Sequence, residues 1–171
     1  PTKSSAASDV YKRQLYDFHI EIINKLFSNG KYETIKHKID HVFDDINTFY
    51  RKPSNKPRSQ RYDSFISFGE HLSSTILQFK IKQDLNKSTW SDARKLIKTD
   101  DQFQRANVDW YASITLIQEN CQAELDANRI IVTQGFISSN ALGETTTLGR
   151  EGSDYSAGIF AHALDAESVT I

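Results

Sequence analysis

Residues 129–164 read RIIVTQGFISSNALGETTTLGREGSDYSAGIFAHAL. The β-branched run at 129–136 ends in glycine and phenylalanine and predicts a buried strand. The following residues, to about Gly152, are rich in Gly, Asn, Ser and Thr and predict a loop, and Asp154–Leu164 predicts a helix. Glu167–Ile171 predicts the beginning of a further strand. Strand, glycine loop, helix and strand in this order are typical of a parallel α/β sheet.

The loop inside this stretch has the composition of an anion site. Residues 145–157 read TTTLGREGSDYSA, so two glycines bracket an arginine and a glutamate, and a Ser-Asp pair opens the helix. Glycine allows close approach of a ligand to the backbone, and a helix N-terminus favours a carboxylate or phosphate. Arg150 adds a permanent charge that can bind a carboxylate through two hydrogen bonds. The pattern predicts an anion-binding loop that runs into a helix.

The rest of the chain is mostly helical by pattern. In the first half the apolar residues recur at helical spacing, and a Ser-Asn-Gly break with Gly30 as a plausible C-cap divides them into two helices. Their apolar stripes are Leu15, Phe18, Ile22, Leu26 and Phe27, then Ile35, Ile39, Val42, Ile46 and Phe49. We interpret both stripes as packing faces. Further on we expect a loop at 52–60, helices at 62–83 and 108–127, and a short strand with a turn at 86–99.

Composition excludes several classes of protein. The 171 residues suffice for one domain, and a net charge of -1 argues against a nucleic-acid binder that acts through bulk charge. No run of 18 apolar residues and no signal peptide is visible, so we expect no membrane partner. The single Cys121 cannot form an intrachain disulfide, which favours a reducing, cytoplasmic setting, and we interpret it as an ordinary helical thiol.

The chain has no methionine and begins with Pro1, which predicts an internal piece of a longer protein, truncated at both ends. Residues 1–14, PTKSSAASDVYKRQ, resemble translated sequencing-adapter read-through, so we expect a non-native tail there and native sequence at 15–171. The alternative is an ordinary polar N-terminal tail.

Four separated segments resemble the aspartate kinases, in the order of that family. They are Ser67-Phe68-Gly69-Glu70 (S-x-G-E), Asp92-Ala93-Arg94 with Thr99 to Phe103 (D-x-R and T-(N/D)-D-x-(F/Y)), Val132 to Ile137 (V-T-Q-G-F-I), and Thr145 to Ala157 (T-T-L-G-R-x-G-S-D-(Y/F)-(S/T)-A). The sequence of the last segment is most similar to that of the monofunctional, lysine-type enzymes. The resemblance implies a partial amino-acid kinase (carbamate kinase-like) catalytic domain. Its expected fold is an α/β three-layer sandwich with a mainly parallel sheet and a helix-rich N-terminal half, without regulatory ACT domains.

The resemblance also implies roles for individual residues. Glu70 would hold the amino group of the substrate, and Arg150 would bind its carboxylate. The substrate-contact loop would be completed by Glu151, Gly152 and Ser153, and Asp154 would be the catalytic aspartate near the transferred phosphoryl group. Simpler alternatives remain: a helix N-terminal or surface glutamate, a surface loop arginine, an N-cap serine and a first-turn aspartate favoured by the helix dipole.

The implied reaction transfers the γ-phosphate of ATP to the β-carboxylate of L-aspartate, with Mg²⁺, as the first step of lysine, threonine and methionine biosynthesis. The nucleotide segments would lie outside this chain, so we expect the chain alone to be inactive and to bind ATP poorly. The full enzyme would be a homo-oligomer with no nucleic-acid partner. The alternatives are another amino-acid kinase, acting on acetylglutamate, glutamate or uridylate, and a noncatalytic helical interaction module.

Overall fold

The computed structural model describes residues 3–27 and 31–171, with side chains from Asp9 onward. The predicted C-cap at Gly30 lies outside the described residues. The chain divides into two compact units, Pro1–Arg51 and Lys52–Ile171. Within the described part of the chain, no helix combines the length and the apolar character needed to cross a membrane.

The first unit is a pair of helices that pack on each other, α1 (Lys3–Leu26) and α2 (Lys31–Arg51). Tyr16 joins them, because its hydroxyl donates to Asp40 Oδ1 at 2.8 Å and its ring meets the Phe43 ring edge-on at 5.1 Å. The helix α1 includes most of the adapter-like run, whose origin remains a prediction.

The predicted packing face agrees with the structure on α2 but only in part on α1. On α2 the prediction is confirmed, since Ile35, Ile39 and Ile46 are buried. On α1 it is wrong in part: Phe18 is 57% exposed, whereas Ile23, outside the stripe, is fully buried. The inward face of α1 includes Tyr16, whose hydroxyl needs a hydrogen-bond partner, so apolar spacing alone selects the wrong side of the helix.

The second unit combines four helices with two small sheets. Its elements in chain order are α3 (Arg58–Leu85), β1 (Ser88–Ser91), α4 (Ala93–Leu96), β2 (Lys98–Thr99), α5 (Trp110–Asp126), β3 (Ile130–Thr133), β4 (Ile137–Asn140), β5 (Thr145–Thr147) and α6 (Gly152–Ala163). The strand β1 pairs in parallel with β3, with Ser88 opposite Ile130. In the other sheet β4 lies between β2, its parallel partner, and β5, its antiparallel partner. The α/β class with parallel pairing and a helix-rich first half is therefore confirmed.

Three local predictions in the C-terminal stretch need correction. The strand β3 is only partly buried, and Ile130 is 41% exposed. The predicted polar loop contains the β4–β5 hairpin, whose buried hydroxyls satisfy one another: Ser138 Oγ lies 2.9 Å from Thr146 Oγ1. Glu167–Ile171 forms no strand and is exposed.

The core of this unit lies where α4, α5 and α6 meet. It consists of the buried residues Leu96, Ile97, Ile117, Cys121, Leu148, Ile159 and Ala163. Leu148 belongs to the glycine loop, so the base of that loop is anchored in the core. The free Cys121 thiol is fully buried, and burial raises its pKa, as expected of an ordinary packing residue.

The buried face of α3 is mainly polar. It carries Gln60, Asp63, Ser67, Leu72, Ser74, Ile76 and Gln78, and it contacts strands of both sheets. Of the apolar pattern that predicts this helix, Leu72 and Ile76 are buried, while Leu77 is 52% exposed. A buried polar face must find hydrogen-bond partners, and these partners connect α3 to the loops described next.

Candidate active site

The glycine loop leads from β5 directly into α6. Gly149 has φ 82° and Glu151 has φ 57°, so two residues of the loop adopt the left-handed conformation. Glu151 is the N-cap of α6 and no side chain caps the helix, which makes Ser153 an internal residue of the first turn rather than the N-cap. The first-turn N–H groups of a helix without a side-chain cap remain available to an anion.

The candidate side chains of this loop point outward. Arg150, Glu151, Ser153 and Asp154 are exposed, whereas Gly152 is buried beneath them. Asp154 lies in the first turn of α6, as the simpler alternative for this residue also requires. The structure thus places a cation, two anions and a hydroxyl around an uncapped helix start.

Two glycines bring the end of β3 against this helix start. A Cβ atom on Gly152 would lie 2.6 Å from Phe136 Cδ2, and one on Gly135 would lie 2.9 Å from the Cβ of Ser153. Real Cβ atoms do not approach other atoms so closely, so any larger residue would push the two segments apart. The sequence Gln134-Gly135-Phe136 therefore forms the support on which the start of α6 rests.

Phe136 fixes this support through its backbone. Its N–H donates to Ser156 Oγ at 2.9 Å, and its carbonyl accepts from the Leu148 N–H at 2.9 Å. It has φ 69°, an unusual conformation for an aromatic residue, which persists only where the surroundings impose it.

Glu70 lies on α3 as a partly buried carboxyl group. Burial raises its pKa, and no other cause contributes to the shift. Within the described residues, no cation and no hydrogen-bond donor contacts its carboxylate. A half-buried carboxylate without a partner is stabilised in its ionised form if a ligand places a cation beside it.

Hydrogen bonds connect the turn that carries Glu70 to the start of α6. Ser74, one turn further along α3, accepts at Oγ from Gln134 Nε2 at 3.0 Å and from Trp90 Nε1 at 3.0 Å. Gln134 is 1% exposed, and its Oε1 accepts from the Ala93 N–H at 2.8 Å. Gly135 follows Gln134 and contacts Ser153. One connection between the turn that carries Glu70 and the loop therefore passes through the buried Gln134 rather than through a contact of Glu70 itself.

The segment Asp92-Ala93-Arg94 has a structural explanation. Asp92 is the N-cap of α4, accepts from the Arg94 N–H at 3.1 Å, and pairs with the Arg94 guanidinium at 2.7 Å. Burial raises the pKa of Asp92, but the hydrogen bonds and charge of Arg94 outweigh it, so the net effect is a lowered pKa. This pair holds α4 rather than a ligand.

Sequence reasoning missed Gln134 and Asp63 as supporting residues. A polar residue between a β-branched run and a glycine is the signal that could have identified Gln134. For Asp63 the signal is weaker, because an acidic residue in an amphipathic helix is usually on the exposed face.

This chain resembles known proteins over most of its length. The model of the amino acid kinase family matches residues 7–171. Lysine-sensitive aspartokinase 3 of Escherichia coli K12 is 36% identical over 138 residues, which cover 80% of this chain and 30% of the relative. The aspartokinase of Chlamydia pneumoniae is 37% identical over 107 residues, 62% of this chain and 23% of the relative. The chain thus spans less than a third of the length of these relatives.

Solved structures show the same likeness in three dimensions. The crystal structure of E. coli aspartokinase III in complex with aspartate and ADP matches with a TM-score of 0.82 and 30% identity, over 92% of this chain and 34% of that chain. The structure of E. coli aspartokinase III with lysine and aspartate matches with a TM-score of 0.81 and 30% identity, over 92% and 35%. With a family model that covers nearly its whole length and the same fold as these kinases, the chain belongs to the amino acid kinase family.

Proposed function

We propose that this chain carries the amino-acid half of an aspartate kinase active site. The protein that contains it would transfer the γ-phosphate of ATP to the β-carboxylate of L-aspartate and yield 4-phospho-L-aspartate. The relatives named above are aspartokinases, and one of their structures is described as a complex with aspartate and ADP. Two observations support the proposal. Among the described residues, the half-buried carboxylate of Glu70 has no partner, and Arg150 is exposed beside the start of α6, where the N-cap side chain makes no hydrogen bond.

A ligand that fits this pair bears a cation at one end and anions at the other. Glu70 would bind the ammonium group, and Arg150 would bind a carboxylate through two parallel hydrogen bonds. Glu151, Gly152 and Ser153 would complete the contact through the backbone at the start of α6. A free amino acid with a second carboxylate, such as L-aspartate, has this charge pattern.

The reaction needs no general base. The β-carboxylate of aspartate has an ordinary pKa of about 3.9 and is ionised at neutral pH. Its oxygen forms the new bond to the γ-phosphorus, the bond from that phosphorus to the β–γ bridging oxygen breaks, and the electron pair leaves with ADP. Catalysis then depends on holding the carboxylate in line and on neutralising charge on the phosphoryl oxygens.

Asp154 would act by orientation rather than by proton transfer. It is exposed in the first turn of α6, next to the residues that contact the substrate. An anion there can hold a lysine or another cation against the transferred phosphoryl group. We expect Asp154→Asn to lower turnover with a smaller effect on the KM for L-aspartate; unchanged turnover would contradict this role.

Magnesium would neutralise phosphate charge in such a reaction. The described residues contain no group of three His, Cys, Asp or Glu side chains placed to hold a metal ion. We therefore assign no metal ligand and derive no step through the ion.

The test uses the product of the longest open reading frame that contains this chain, hereafter the parent protein. Its reaction with ATP is followed by the release of ADP, and acyl phosphates formed from carboxylate substrates are also trapped with hydroxylamine. We expect product with L-aspartate and none with L-glutamate, acetylglutamate or uridylate. Product with one of those compounds in place of L-aspartate would assign a different kinase of the family.

A matched pair of arginines separates binding from general charge. Arg150→Ala should raise the KM for L-aspartate by roughly ten- to a hundredfold, because hydrogen bonds to charged groups contribute about 1.5–3 kcal/mol. Arg129→Ala removes another exposed arginine, which pairs with Glu124 at 3.4 Å outside the loop, and should leave the KM unchanged. Equal effects of both variants would refute the assignment of Arg150.

A further inference from the structure

Asp63 is a buried carboxyl group on α3 that holds two other segments of the chain. It is 0% exposed. Its Oδ2 accepts from the Gln104 N–H at 2.8 Å and from the Thr147 N–H at 3.0 Å, and its Oδ1 accepts from Thr147 Oγ1 at 3.0 Å. One side chain therefore connects α3, the loop before α5 and the end of β5.

Both segments held by Asp63 adjoin Gly149. Thr147 is the last residue of β5 and stands two positions before Gly149 in the chain. On the other side, a Cβ atom on Gly149 would lie 3.4 Å from the Gln104 carbonyl oxygen and 3.4 Å from Arg105 Cγ. Gln104 itself has φ 71°, so its N–H reaches Asp63 in a left-handed conformation that most residues avoid.

The same face of α3 carries Glu70. Positions 63 and 70 are seven residues apart, which is about two helical turns, so they lie on one side of the helix. The loop that contains Arg150 is thereby tied to the helix that contains Glu70 through hydrogen bonds to a single carboxylate. A backbone bond from the Ala106 N–H to the Thr147 carbonyl at 2.9 Å keeps the two segments together.

We propose that Asp63 is a positioning residue that fixes the spacing between Glu70 and the Gly149–Ser153 loop, an inference that rests on the function proposed above. A ligand bound at both ends requires that spacing to be correct. A displacement of about 1 Å at a reacting group can cost roughly a hundredfold in rate. Asp63 touches neither substrate nor phosphate in this scheme and acts through the loop.

Two substitutions separate hydrogen bonding from charge. In Asp63→Asn the amide oxygen can accept from both N–H groups, and the amide nitrogen can donate to Thr147 Oγ1, which is able to accept. All three contacts are then retained. Asp63→Leu has a similar volume and retains none of them. The control is Ser113→Ala, because Ser113 is also fully buried and its Oγ accepts from the Lys98 N–H at 2.9 Å, joining α5 to β2 away from the loop.

The first measurement needs no substrate. Amide chemical shifts and hydrogen exchange of Gly149, Gly152 and Ser153 are recorded in the parent protein. We expect Asp63→Leu to shift these amides and to speed their exchange, while Asp63→Asn and Ser113→Ala leave them close to those of the unmodified protein. Unchanged loop amides in Asp63→Leu would overturn the proposal whether or not the protein phosphorylates aspartate.

The second measurement is kinetic. Asp63→Leu should lower kcat/KM for L-aspartate by about ten- to a hundredfold, with a larger KM, and Asp63→Asn should restore most of it. If Asp63→Leu lowers kcat/KM no more than Ser113→Ala does, Asp63 has only a structural role and the proposal is overturned. If Asp63→Leu does not fold, Thr147→Val removes one of the three hydrogen bonds and should shift the same amides and raise KM a few-fold; no change there would likewise overturn it. Absence of aspartate turnover in the unmodified protein would count against the proposed function alone.

Discussion

Gly135 and Ser153 lie so close together that a Cβ atom on Gly135 would stand 2.9 Å from both the Cβ and the Oγ of Ser153. This contact joins the end of β3 to the first turn of α6. The candidate substrate loop is thus a supported surface rather than a free loop.

Two glycines of α6 allow a matched test of that support. Gly152→Ala places a Cβ atom 2.6 Å from Phe136 Cδ2, so the loop must shift, and we expect a large loss of activity. Gly158 has no atom within 4 Å of its virtual Cβ, so Gly158→Ala should stabilise the helix by about 0.5–1 kcal/mol. Thermal unfolding and turnover are measured for both variants. Full activity in Gly152→Ala would show that the loop tolerates the displacement.

Glu70 should make substrate binding sensitive to mild acid. Burial raises the pKa of its carboxyl, so the anion that binds the ammonium group is lost as the pH falls through that raised value. The substrate carboxylate, with a pKa of about 3.9, stays ionised over the upper part of this range. Calorimetric titration with L-aspartate should therefore show weaker binding as the pH falls through the raised pKa of Glu70.

Glu70→Gln should bind weakly at every pH and lose this dependence. Glu119→Gln replaces an exposed glutamate of α5 and serves as the control, with unchanged binding. A pH profile of Glu70→Gln identical to that of the unmodified protein would remove Glu70 from the ammonium site.

Asp63 should make stability fall as the pH rises. Burial raises the pKa of this carboxyl, and the hydrogen bonds from Gln104 and Thr147 offset only part of the shift. The folded state then keeps its proton at pH values where the unfolded chain has lost it, so ionisation opposes folding. Relative to the unmodified protein, Asp63→Asn should gain stability as the pH rises from about 4 through the raised pKa. Urea unfolding across this range measures the difference, and a relative loss would contradict the sign.

Asp92 should show the opposite dependence. Burial raises its pKa, but Arg94 lowers it further, so the folded pKa is depressed and its stabilising effect is present above about pH 3.9 and lost as the pH falls through the folded value. Asp92→Asn keeps an acceptor for the Arg94 N–H but loses the ion pair, at a cost of about 1–2 kcal/mol near neutral pH. Asp84→Asn, at an exposed pair with Lys80, should change stability by less than about 0.5 kcal/mol. Equal losses of stability in the two variants would show that the partial burial of Asp92 does not strengthen its ion pair with Arg94.

The sequence predicted those elements whose apolar residues face a core. The α2 stripe and the presence of α6 followed from spacing, because Ile39 and Ile159 pack as apolar residues normally do, although α6 begins at Gly152, two residues before the predicted start. The β4–β5 hairpin did not follow, since Ser138 and Thr146 are buried by bonding to each other, and composition alone makes such residues typical of a loop.

In the candidate site, too, some residues could be predicted from the local sequence and others could not. Arg150 and Asp154 stand together in sequence, so their proximity was predictable from the glycine pattern and the helix start. Glu70 was proposed through a family resemblance, because it lies far from the loop in sequence and long-range hydrogen bonds connect its helix to the start of α6. Those bonds pass through Gln134 and Ser74, and a single sequence carries no signal of which distant polar residues pair.

The burial of Cys121 has a practical consequence for spectroscopy. This cysteine is the chain's only one, its thiol has no exposed surface, and its pKa is raised, so a thiol-reactive dye has little access to it in the folded protein. A cysteine introduced by Arg129→Cys or Glu119→Cys would be exposed and would label selectively. A single fluorophore can therefore be attached to the folded chain at a chosen position, and Cys121 need not be replaced.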